Sequence, residues 1–247
     1  WWLAMWLALV THPLLDAMTV YGTQLLLPFT DHPFGVGSMF IIDPLYTLPL
    51  LAGLAAVLAL RDGRGLRWNQ AGLALSTAYL AWSVAVQWHV HGLAREALAA
   101  AGAQRDLPLL VTPTAFNTVL WRVVAMHPDG SYDEGFRSLL DGDRPMAFRR
   151  FAGSSQAPAE VLALEPAQRL ARFTHGFFKV HERDGQAWVT DLRMGQEPHY
   201  SFSFLVARFD GGRWAPQVPR NQGSRGDVRA GLAWLWARLW GGDPARR

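Results

Sequence analysis

His12 and Asp16, in the run Thr11-His12-Pro13-Leu14-Leu15-Asp16, lie four residues apart. On a helix that spacing stacks an imidazole and a carboxylate on one face, where they present two donors to one divalent ion. Residues 1–19 are apolar apart from Thr11, His12 and Asp16. An Asp carried into a bilayer helix costs about 2.5–3.5 kcal/mol, so it should face a polar cavity, a partner or an ion. The competing reading places Asp16 hydrated at the helix end and His12 hydrogen-bonded inside a bundle, and spacing alone leaves the two in balance. Asp43, with Pro44 at the head of the next apolar run, is the candidate third ligand. Two acids and a histidine suit zinc or another divalent ion. Three protein ligands leave room for a water that the metal acidifies towards hydroxide, with Asp43 as ligand or base. Asp43 is at least as well placed to cap the helix that Pro44 opens, and both roles stay open.

Other polar candidates carry less. His89 and His91 are two apart and diverge on a helix, so they read as interfacial. His175, His181 and His199 fall among strand and turn positions and read as surface or structural. Asp191 and Arg193 suit an ion pair before the Gly195 turn, with anion binding by Arg193 as the weaker alternative.

The elements that must position these residues divide into two regimes. Up to about Gly92 charges are scarce and apolar runs long; beyond Ala94, Arg, Asp and Glu appear at ordinary density. The expected architecture is an α-helical membrane part of about three spans, followed by a C-terminal soluble α+β domain with an antiparallel sheet. Residues 1–94 form the transmembrane region, 95–106 a linker, 107–218 the soluble domain, and 219–247 a tail with an amphipathic helix. The spans are residues 1–19, 40–60 and 71–93, separated by a Gly-, Pro- and aromatic-rich stretch at 20–40 and a polar loop at 61–70. Arg61, Arg64 and Arg67 make that loop cytoplasmic by the positive-inside rule, which puts the soluble domain on the periplasmic or extracellular side. Strands are expected at 119–127, 176–182, 187–192 and 200–209, with 132–139 as a partner strand or helix start, and a helix at 157–173. The Asp184-Gly185 pair marks a hairpin turn.

The 247 residues are half hydrophobic and include twelve tryptophans, an excess that points to membrane rather than to an ordinary soluble core. The net charge of +3 comes from scattered arginines and gives no case for a nucleic-acid partner, while the lack of cysteine excludes disulfides and thiolate metal sites. The chain opens at Trp1 inside an apolar run and is read as a fragment.

The run from Thr11 to Asp16, with Tyr21-Gly22-Thr23-Gln24, Pro28-Phe29 and Phe40-Ile41-Ile42-Asp43-Pro44-Leu45-Tyr46, resembles the YdjM-like inner-membrane family, also described as LexA-binding membrane-associated metal-dependent hydrolases. Pro113 to Asn117, Trp121-Arg122, and Asp191 to Gly195 through Tyr200 resemble its C-terminal region. The resemblance implies a bacterial multi-pass inner-membrane protein with a divalent-metal hydrolase site that includes His12 and Asp16. The family's earlier His-rich motif has no counterpart here. The expected function is hydrolysis of a membrane-proximal ester or phosphoester, with the lipid bilayer as partner and zinc as cofactor. The alternative is a non-enzymatic membrane anchor whose outer domain binds a protein or envelope component.

Overall fold

The structure is a computed structural model that describes residues 1–224 and 226–242. Residues 243–247 of the expected tail lie outside the described residues. The chain divides into two compact units. The first comprises Trp1–Arg95, Val111–Arg122 and Arg137–Gly142; the second comprises Glu96–Leu110, Val123–Phe136 and Asp143–Arg247.

Three helices dominate the first unit: α1 (Trp2–Asp16), α2 (Pro44–Leu60) and α3 (Gly63–Ala100), the last running on into the second unit. Asp43 caps α2, its side chain accepting from the Leu45 N–H, and Pro44 supplies a preset first turn. Arg61, in the left-handed region at φ 51°, ends α2. Asp62 then caps α3 by accepting from the Arg64 and Gly65 N–H groups. The expected loop at 61–70 is therefore only Arg61 and Asp62, and Gly63–Ala100 is one unbroken helix. The positive-inside argument loses the loop on which it rested.

Close approach of α2 and α3 requires glycine. A Cβ on Gly72 would stand 2.3 Å from the Pro49 carbonyl oxygen, and one on Gly53 2.8 Å from the Asn69 Cα. Gly65 likewise would meet the Ala56 carbonyl at 2.9 Å. Backbones at this separation tolerate no side chain, so Gly53, Gly65 and Gly72 set the spacing of the pair. The covered positions of α3 include Gly65, Gly72, Ser76, Ser83, Val86, Val90 and Ala94, a repeat of three and four that defines one helix face.

The three expected membrane spans are not found: among the described residues no helix is long and apolar enough to cross a membrane. The reason is geometric. Crossing takes ~20 apolar residues at ~1.5 Å rise each, whereas α1 has 15 residues and α2 has 17. α3 has the length, at 38 residues, but Gln70, Ser76, Thr77, Ser83, Gln87, His89 and His91 dilute its apolar stretches.

Among the described residues ten strands follow: β1 (Leu109–Pro113), β2 (Leu120–Met126), β3 (Tyr132–Ser138), β4 (Phe148–Phe151), β5 (Phe178–Arg183), β6 (Gln186–Asp191), β7 (Gly195–Gln196), β8 (His199–Tyr200), β9 (Ser203–Asp210) and β10 (Arg213–Asn221). They form sheets of order β1-β2-β3-β4, β10-β9-β6-β5 and β7-β8. The pairings within β10-β9-β6-β5 are antiparallel. Asp184 and Gly185, both at positive φ, close the β5–β6 hairpin as a primed turn. The stretch 157–173 is two helices, α4 (Ala159–Ala163) and α5 (Glu165–Phe173), divided at Leu164, whose backbone is extended one residue before Glu165 and Pro166.

In the second unit α4 and α5 lie over one face of β10-β9-β6-β5. Val161 and Ala167 form a buried cluster with Val180, Ala187, Val189, Val206 and Ala207. A second cluster joins Val124, Met126 and Tyr132 to Leu192 and Tyr200. The last helix, α6 (Val228–Leu239), is capped by Asp227 and tied down by Arg238, which donates to the Phe136 carbonyl, and by Trp234 edge-on to the Phe136 ring.

Candidate functional site

His12 and Asp16 do meet, with Nε2 3.3 Å from Oδ2, one turn apart on α1. The pair is open rather than enclosed, its side chains 75% and 48% exposed. Asp43 is engaged elsewhere. Its Oδ1 accepts from the Leu45 N–H at 2.9 Å, and its Oδ2 accepts from the Tyr79 hydroxyl at 2.9 Å. Among the described residues no group of three or more His, Asp or Glu side chains is gathered where it could hold a metal ion. This corrects the expected metal-binding character. The donors do not fit a metal because His12 and Asp16 face each other on an exposed surface while both Asp43 oxygens are committed to hydrogen bonds; no hydrolytic step follows from them.

The structure instead builds a polar row along α3. Ser76 donates to the Tyr46 carbonyl at 2.7 Å, and Tyr79 to Asp43. Ser83 bonds Ser38 at 3.0 Å, and the Gln87 amide donates to the Val36 and Val111 carbonyls at 2.8 and 2.9 Å. Thr118 donates to the Tyr79 oxygen at 3.0 Å, extending the chain Thr118–Tyr79–Asp43. Burial pushes the Tyr79 phenol well above its ordinary pKa, so it stays a proton donor. Asn117 positions Thr118: its Oδ1 accepts from the Val119 and Leu120 N–H groups, and its amide donates to Thr114 and the Ala115 carbonyl. Of this row only Asp43 stands out in the sequence as a candidate site residue. The signal was present in the spacing of Ser76, Tyr79, Ser83 and Gln87, which is helical and polar within an apolar segment. His89 and His91 lie on the exposed side of the same helix.

In the second unit, Asp191 and Arg193 form a buried bidentate pair, with Nε to Oδ1 at 3.0 Å and Nη2 to Oδ2 at 2.8 Å. Arg193 also lies over the Phe173 ring at 4.7 Å. Asp133 takes two bonds from Arg150, at 2.8 and 3.0 Å, and sits 2.7 Å from His127 Nε2. Burial works to raise the Asp133 pKa, but the hydrogen bonds from Arg150 and His127 outweigh it and hold the carboxyl below the usual range. Lys179 Nζ stands 2.5 Å from Glu197 Oε1 and over the Tyr200 ring, and Tyr132 bonds the same Glu197 oxygen.

A cavity of about 530 Å³ opens on β10-β9-β6-β5. Lys179, His181 and Arg183 reach it from β5, Gln186, Trp188 and Thr190 from β6. His181, expected as a surface or structural residue, stacks parallel to Trp188. Burial, and then Lys179, lower its pKa, which favours the neutral imidazole.

No curated protein and no solved structure matches the chain. Residues 1–90 match the model of the family described as YdjM inner membrane protein. That description supports the inner membrane as the location, and the similarity covers the stretch that carries His12, Asp16, Asp43 and Tyr79.

Proposed function

We propose that the chain is a non-enzymatic anchor, held against the inner membrane by the apolar surface of its helical unit, with the second unit serving to bind an envelope component. The observation that carries this is the outward face of the helices. Trp2, Trp6 and Leu9 on α1, Leu48, Leu51, Leu54 and Leu58 on α2, and Trp68, Leu73, Leu75 and Trp82 on α3 are exposed. Scattered exposed apolar residues are ordinary, but large apolar side chains exposed in this number along three helices mark a contact with lipid or another molecule. The family description favours lipid. Helices too short or too polar to cross can still lie in the interfacial layer, where tryptophan is at home. The polar row Ser76, Tyr79, Ser83 and Gln87 has a structural task in this reading, since hydrogen bonds between packed helices stabilise by about 0.6–2 kcal/mol without a metal.

The test is flotation of the full chain with vesicles of phosphatidylethanolamine and phosphatidylglycerol. The chain should rise with the vesicles and stay there through a wash at about 1 M salt, which screens charge but not apolar contact. The combined variant Leu48→Glu, Leu51→Glu and Leu54→Glu should reduce the floated fraction several-fold. A chain that is monodisperse in detergent-free buffer and stays at the bottom of the gradient defeats the reading. Turnover of a lipid ester that disappears in Asp16→Asn with the fold intact would defeat its non-enzymatic part.

A further inference from the structure

We infer that the cavity on β10-β9-β6-β5 binds a neutral oligosaccharide, laid flat against Trp188. This rests on the binding role proposed above for the second unit and names its ligand class.

Strand alternation creates the site. β5 turns Val180 into the cluster under α4 and α5, and β6 does the same with Ala187 and Val189. The intervening residues therefore occupy the opposite face. Register aligns them in three cross-strand pairs: Lys179 with Thr190, His181 with Trp188, and Arg183 with Gln186. The middle pair is aromatic, with ring centroids 6.5 Å apart and planes 13° from parallel. The cavity, about 530 Å³, has the volume of a small-ligand site.

Charge decides the ligand class. The two cations that line the cavity have carboxylate partners within the chain: Glu197 lies 2.5 Å from Lys179, and Asp184 lies 3.4 Å from Arg183. Lys179 and Glu197 are both largely covered, so a ligand that displaced Glu197 would leave a shielded charge unpaired; Arg183 and Asp184 are exposed neighbours whose opposite charges leave no net charge there. What the lining offers instead is a flat ring face and a surround of neutral donors and acceptors, the amides of Gln186 and Gln222 and the hydroxyls of Thr190, Ser203 and Ser224. A pyranose is the complement of that surface: one face of C–H groups to lie on an indole, and a rim of hydroxyls that both donate and accept. A neutral His181 adds one donor and one acceptor and no charge.

The experiment uses the full chain in a detergent without a sugar headgroup. Saturation-transfer NMR is run with maltotetraose and a β-linked N-acetylglucosamine tetramer, and with glucose 1-phosphate and a nucleoside monophosphate as anionic probes. At least one neutral tetrasaccharide should bind with a Kd of about 0.1–1 mM. Trp188→Ala should weaken it about tenfold or more, Trp188→Phe about threefold or less, and Gln222→Ala, at the rim, a few-fold. If neither tetrasaccharide takes up saturation, the proposal fails. It fails too if the folded Trp188 and Gln222 variants bind as the parent does, or if only the anionic probes bind and salt abolishes it. Vesicle flotation separates the two readings: sugar binding lost with flotation intact overturns this inference alone, and the reverse overturns only the membrane contact.

Discussion

Asp43 in the first unit and Asp191 in the second are both buried carboxylates, and they are satisfied by different means. Asp43, 3% exposed, is held by neutral donors, the Leu45 N–H and the Tyr79 hydroxyl, the latter backed by Thr118. Asp191, 1% exposed, is held by the guanidinium of Arg193 two residues along the chain. Glu197 with Lys179 and Asp133 with Arg150 follow the second pattern. The difference follows from what each segment contains. Charges are scarce before residue 92, so α3 contributes hydroxyls and an amide; later strands alternate charged and apolar residues and bring opposite charges together. Neutral networks distribute their contribution over several bonds, whereas an ion pair concentrates it in one.

The largest effect should come from breaking the concentrated kind. Arg193→Ala leaves Asp191 buried without its partner and removes the contact with Phe173, and should cost about 3–5 kcal/mol. Replacing both partners, Asp191→Leu with Arg193→Met, should recover most of that loss, because similar apolar volumes avoid the uncompensated charge. Chemical denaturation in detergent measures both; a double variant no better than the single breaks the account of Asp191. Asp43→Ala comes next, at about 1–3 kcal/mol, since it removes a helix cap and the acceptor of the Tyr79 hydroxyl. Asp43→Asn keeps an acceptor for Leu45 and should cost less. An Asp43→Ala loss equal to that of Arg193→Ala would erase the contrast between the two units.

Asp133 gives the contrast a pH dependence. Its folded pKa lies below the ordinary carboxylate value, so its contribution to stability is complete above the unfolded pKa near 4 and is lost as pH falls through the folded one. Stability measured below pH ~4 should decline, and Arg150→Gln should flatten that decline. The effect is smaller than at Asp191 because the Arg150 side chain is 59% exposed and solvent screens it. An acid limb unchanged in Arg150→Gln would assign the lowered pKa to His127 instead.

Several elements could be read from the chain itself. Strong local signals identified β2, β5, β6 and β9 to within a few residues, the Asp184-Gly185 turn and a helix in the tail, and offered the cap as one of two roles for Asp43. Tertiary partners were invisible. β10 contains Pro216 and Pro219, which argue against a strand, and it survives at the sheet edge with a register shift between Pro216 and Arg220. β1 and β4 are short and carry little alternation. The charges at 61–67 suggested a loop, because a capping Asp62 and a surface-facing first turn of α3 look alike in sequence. Tyr79 could be recognised as Asp43's partner only after α3 was folded against it, 36 residues on. The cavity has no linear motif, since its rows arise from strand register.

The smallest effect belongs to the pair on α1. His12 and Asp16 form an exposed pair four apart on α1, and pairs of this kind stabilise by about 0.3–0.5 kcal/mol. His12→Ala and Asp16→Asn should each lower stability by no more than about 0.5 kcal/mol, or roughly 1–2 °C in Tm for a chain of this size. Neither should change vesicle flotation, because the apolar side chains of α1 are untouched. Thermal unfolding of both variants, with and without added zinc, sharpens the comparison. A zinc-dependent rise in Tm for the parent that vanishes in both variants would show that this pair binds an ion, and would place it with the concentrated interactions of the second unit.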